Sequence, residues 1–117
     1  MIIIKYPSHV AILDDLKEIR KRANKLTNKF SVYAESPTRE NAFETIKNTL
    51  EVLDKAEEFS AKIEYSDLIR RELREMYRNI SGKDSYNTQE YLISAIQFCE
   101  YLCRAIANGG EPRKKVL

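Results

Sequence analysis

The chain has 117 residues, of which 32% are charged and 43% belong to the AVILMFWYC set, with only three glycines and three prolines. That composition excludes a disordered, collagenous or membrane-embedded chain and fits one helix-rich domain. Lys and Arg number 20 against 18 Asp and Glu, so a net charge of +2 is too close to neutral to name an anionic partner by itself.

The chain opens on Ile2-Ile3-Ile4, three aliphatics where a spanning helix needs roughly 18 apolar residues. A cytoplasmic location is therefore expected. A lone strand cannot satisfy its own backbone, so this segment should pack as an apolar arm or pair with the same segment of another molecule.

After Pro7-Ser8, apolar residues fall at Ile12, Leu16, Ile19, Ala23, Leu26, Phe30 and Tyr33, alternating steps of four and three. The spacing predicts a helix with one narrow seam, packed nearly parallel or antiparallel to a neighbour. Ser36-Pro37 should end it and start the next helix, with Ser36 as N-cap and Pro37 at the first helical position. That second helix carries Ala42, Phe43, Ile46, Leu50, Leu53, Ala56, Phe59 and Ile63 on its apolar stripe, and its outer face is acidic.

A break is expected near Glu64-Tyr65-Ser66-Asp67, where Ser66 or Asp67 could cap a third helix. The argument is phase, because the six-residue step from Ile63 to Ile69 does not continue the seam that resumes at Ile69, Leu73, Met76 and Ile80. A helix running through from Pro37 to Ile80 would be about 44 residues long, far beyond the usual globular length. Gly82 should follow the third helix as its C′ residue, with Lys83–Tyr86 as loop. Asn87 and Glu90 have capping-box spacing, and the fourth helix holds Leu92, Ala95, Ile96, Phe98, Cys99, Leu102, Cys103 and Ile106. So many apolar positions leave only a thin polar strip, so it should be the most buried helix. Asn108-Gly109-Gly110 should stop it. The expected fold is thus all-α, a single-domain four-helix bundle over residues 1–110 with a short apolar N-terminal arm or strand, followed by a flexible basic tail at 111–117.

Few residues offer chemistry. His9 is the sole histidine, and one imidazole without neighbouring ligands supports neither a zinc site nor a His-based relay. Cys99 and Cys103, four apart on a helix among aliphatics, read as core residues rather than nucleophiles. No glycine-rich phosphate loop and no serine in a glycine-flanked turn is present, so neither an enzyme nor a bound cofactor, metal or small-molecule substrate is expected.

Charge layout is more informative. Residues 1–35 hold seven basic and four acidic residues, while residues 36–65 hold four and seven. On the first helix Lys17, Lys21, Arg22, Lys25 and Lys29 fan over about 140° opposite the seam. On the third, Arg70, Arg71, Arg74 and Arg78 should cover one side. These stripes either keep the bundle soluble, pairing in part with Glu40, Glu44, Glu51 and Glu58, or bind phosphates. The expected function is a non-enzymatic helical interaction module, an adaptor or small subunit with a protein partner or a second copy of itself. The alternative is a nucleic-acid-associated subunit using the two stripes.

Overall fold

The seam of the first helix does pack as its spacing requires: Leu16, Ile19, Ala23, Leu26 and Phe30 are all buried along one side. The computed structural model describes residues 3–5, 13–59, 61–82 and 88–108. Its elements are β1 (Ile4–Lys5), α1 (Leu13–Glu35), α2 (Arg39–Glu58), β2 (Lys62–Ile63), α3 (Ser66–Ser81) and α4 (Gln89–Ala107). His9, the loop at 83–86 and the tail at 111–117 lie outside the described residues.

The four helices form an all-α bundle in which α1 packs most extensively on α4, α2 lies against both, and α3 packs chiefly on α2. Arg22 meets Glu51 and Lys29 meets Glu44, so α1 and α2 run antiparallel. Arg70 meets Asp54 and Glu57 while Phe43 meets Tyr77, which sets α2 and α3 antiparallel as well. The Arg20 guanidinium donates to the Ala107 carbonyl at 3.0 Å, placing the start of α1 beside the end of α4 and a cation at that helix's negative end. The core includes Ile46, Leu53, Leu73, Ile80, Ile96, Leu102 and Ile106, each essentially inaccessible to solvent. Thr27, Thr45 and Thr49 are buried too, and each hydroxyl donates to the carbonyl four residues earlier.

Several boundaries differ from the sequence expectation, each because a local partner competes better. The N-cap of α2 is Thr38, not Ser36. Its extended backbone lets Oγ1 accept from the Asn41 amide at 3.0 Å, while Pro37 is buried instead of opening the helix. Likewise Thr88, not Asn87, caps α4 by accepting from the Tyr91 amide at 3.2 Å. The stop at Gly82 is as expected, α3 ending at Ser81, with Gly82 in an extended backbone at φ −74° and ψ 163°.

The largest correction concerns Ile63. The second helix stops at Glu58, and Ile63 enters a two-stranded antiparallel ribbon in which Ile4 faces Ile63 and Lys5 faces Lys62. The Glu64 amide donates to the Ile3 carbonyl at 3.0 Å, so the N-terminal strand finds its partner within its own chain rather than in another molecule. Both isoleucines are buried, and their β-branched side chains favour this extended pairing over another helical turn.

Candidate interaction surface

The nine basic residues of the two stripes have unequal surroundings. On α1, all five are exposed. Arg22 pairs with Glu51 at 2.9 Å and Lys29 with Glu44 at 2.5 Å, both carboxylates belonging to α2. Tyr33 also donates to Glu44, at 3.0 Å. The hydrogen bond to Glu44 raises the Lys29 pKa, and the bonds from Lys29 and Tyr33 lower that of Glu44. Lys17, Lys21 and Lys25 are exposed and make no ion pair with another described residue.

On α3 the stripe divides. Arg70 does not belong to an open face: its side chain is only 14% exposed and forks onto Asp54 and Glu57 of α2. Its Nε also donates to the Ser66 hydroxyl at 3.3 Å. Burial disfavours its charge, but the two carboxylates outweigh that and raise its pKa above the ordinary arginine value. The sequence pattern placed it with Arg71, Arg74 and Arg78, and the structure assigns it to the α2–α3 contact. Arg78 reaches back to Glu75 at 3.1 Å, an exposed pair one turn apart. Arg71 and Arg74 have no carboxylate partner among the described residues. Together with Asp67, Arg70 and Glu75, these three arginines line an open depression of about 470 Å³.

Acidic α2 therefore lies between two basic helices, and its carboxylates take up Arg22, Lys29 and Arg70. The two stripes do not join into one basic track, because the Glu44, Glu51 and Asp54 side chains lie between them.

Exposed apolar residues concentrate on α3. Leu68 is 54% exposed, Tyr77 38%, and Tyr65, immediately before the helix, 68%. Val32 on α1 and Tyr101 on α4 are exposed singly. The sequence signal for Leu68 was its position off the Ile69–Leu73–Met76–Ile80 seam, and it was missed because Leu is so often buried. Tyr65 is unusual in a second way: its backbone is left-handed, at φ 60° and ψ 32°, and it gives α3 no side-chain cap. A left-handed non-glycine residue costs about 1–2 kcal/mol, and a ring this exposed recovers little of that by packing. Tyr65→Asn should accordingly raise the urea midpoint, by about 0.5–1 kcal/mol of stability, since Asn tolerates this conformation. A lowered midpoint would mean that the ring supports the fold.

Cys99 and Cys103 are fully buried on α4, and Cys103 Sγ lies 3.9 Å from Thr49 Oγ1. Burial pushes the Cys99 thiol up to about 12 and Cys103 up to about 11, the opposite of an activated nucleophile. Among the described residues no group of three or more His, Cys, Asp and Glu is arranged to hold a metal, and no helix is long and apolar enough to cross a membrane. No protein-family model, curated protein or solved structure matches the chain.

Proposed function

We propose that the chain is a non-enzymatic helical interaction module, an adaptor or small subunit of a larger cytoplasmic assembly, and that α3 carries its partner surface. The observation behind this reading is the outer side of α3, where Arg71 and Arg74 line an open depression, Leu68 is exposed one turn before Arg71 and Tyr65 is exposed just ahead of the helix. Tyr and Arg are the side chains enriched where binding energy concentrates, and Tyr65 is exposed on a left-handed backbone. A self-associating chain is one form this takes, with a second copy as the partner.

The test is a comparison of proteins copurifying with the native chain and with a Leu68→Asp, Arg74→Glu double variant. Both positions are exposed, so the variant should melt within a few degrees of wild type. A defined set of proteins, or a second copy by light scattering, should be lost from the variant. Identical recovery with both would refute the assignment of α3.

A nucleic-acid role is the second reading, supported by Lys17, Lys21 and Lys25, which are exposed and make no ion pair with another described residue. In that case affinity for short RNA or DNA should fall with salt, by a slope near −0.7 per neutralised phosphate for single strands or −0.9 for duplexes. Charge reversal at Lys21 and Lys25 should flatten that slope. No binding at low salt would end this reading.

A further inference from the structure

The molecule already contains one solution for holding an acidic helix. Arg22, Lys25 and Lys29 stand at intervals of three and four residues on α1, and the outer two grip Glu51 and Glu44, which are seven apart on antiparallel α2. Arg71, Arg74 and Arg78 repeat the same intervals on α3. No helix among the described residues lies against that second row with its carboxylates. The acids of α2 that face α3, Asp54 and Glu57, are taken by Arg70. Arg78 is held only by Glu75 of its own helix, in a pair whose side chains are 72% and 51% exposed, which a better partner can displace at little cost.

From this repeat we infer that the partner of α3 is an acidic amphipathic helix of another protein, with two carboxylates seven residues apart facing Arg71 and Arg78. An apolar residue one turn further along covers Leu68 and Tyr65. This rests on the interaction-module reading and names the partner's chemistry. Two features favour a protein helix over a nucleic acid. Asp67 and Glu75 border the arginines and repel a uniform polyanion, whereas a helix can place its own uncharged or basic residues opposite them. Leu68, one turn before Arg71, offers apolar area that a phosphate backbone cannot use. The arginine fork binds carboxylates in two-point fashion, which sets the register of the docked helix.

The probe is a fluorescein-labelled helical peptide with two glutamates seven residues apart and a leucine pair one turn beyond the second. Its control has the same composition with the glutamates moved to opposite faces, and a short uridine oligonucleotide serves as competing polyanion. Anisotropy with the full chain should show the designed peptide binding with a Kd of roughly 10–100 μM, and the control at least about fivefold more weakly. Arg71→Glu with Arg78→Glu should weaken the designed peptide by about tenfold or more. Arg71→Gln with Arg78→Gln, which introduces no repulsion, should weaken it less, and Leu68→Ala should cost several-fold. Equal binding of the two peptides, or none at about 1 mM, overturns the proposal. So does tighter binding of the oligonucleotide that disappears with the same reversal. If the peptide fails while copurifying proteins are still lost from the Leu68→Asp, Arg74→Glu variant, the interaction module stands and the acidic helix does not.

Discussion

Arg70→Glu should lower the stability of the bundle by about 2–3 kcal/mol, whereas Arg74→Glu, four residues on along the same helix, should leave it within about 0.5 kcal/mol. The two residues are alike in sequence and differ in what surrounds them. Arg70 is 14% exposed, and both ends of its guanidinium are held, by Asp54 and by the half-buried Glu57. Reversing its charge removes both bonds and sets a third carboxylate beside the other two, at the contact that attaches α3 to α2. Because Asp54 is 67% exposed, part of the repulsion is relieved by water, which keeps the expected loss below that of a fully buried pair. Arg74 projects into solvent with no partner to lose. Urea unfolding at constant m-value measures both, and equal midpoints for the two variants would contradict the clamp. Arg70→Met, which keeps the stem without the charge, should fall between them.

The contrast shows what periodicity can and cannot deliver. Spacing alone identified four helices, the seams of α1 and α3, and the burial of Cys99 and Cys103, because each depends on a repeat that only a packed helix satisfies. Periodicity assigns a residue to an angular sector of its own helix, but it does not say which neighbour occupies that sector. Arg70 and Arg74 lie close on the wheel, and only the position of α2 makes one a clamp and the other free. Ile63 failed for a related reason: it matches the α2 stripe in phase, yet Ile4, nearly 60 residues away, provides a strand partner that no local pattern reveals. Tyr65 was hidden because a left-handed backbone favours glycine or asparagine, so a tyrosine there reads from sequence as continuing helix or ordinary linker. The acidic character of α2 was legible, but its consequence was not: its carboxylates divide the basic surface into two separate edges.

Stability should fall steeply in mild alkali because of the two core thiols. In the folded chain Cys99 ionises only at about 12 and Cys103 at about 11, since burial among aliphatics penalises the thiolate, while an unhindered cysteine ionises near 9.0. Above about pH 9 the unfolded chain has therefore lost protons that the folded chain keeps, so rising pH favours unfolding. Below that both states are protonated and the thiols contribute no pH dependence. Each thiol adds a slope of up to about 1.4 kcal/mol per pH unit, and the two together approach 3 kcal/mol per unit until Cys103 begins to ionise in the folded state. Against a typical total of about 5–15 kcal/mol this is a large effect. Urea midpoints measured between pH 7 and pH 10.5 for wild type and for Cys99→Ala, Cys103→Ala test this directly. The double variant should be less stable at neutral pH, by about 1–3 kcal/mol for the lost packing. Its profile should be flatter, so that the two curves converge in alkali, and native thiols should resist aromatic disulfide reagents at pH 8 until the protein unfolds. Parallel curves, or rapid labelling of either cysteine in the folded state, would place the thiols in contact with solvent and undo the assignment of α4's inner face to the core.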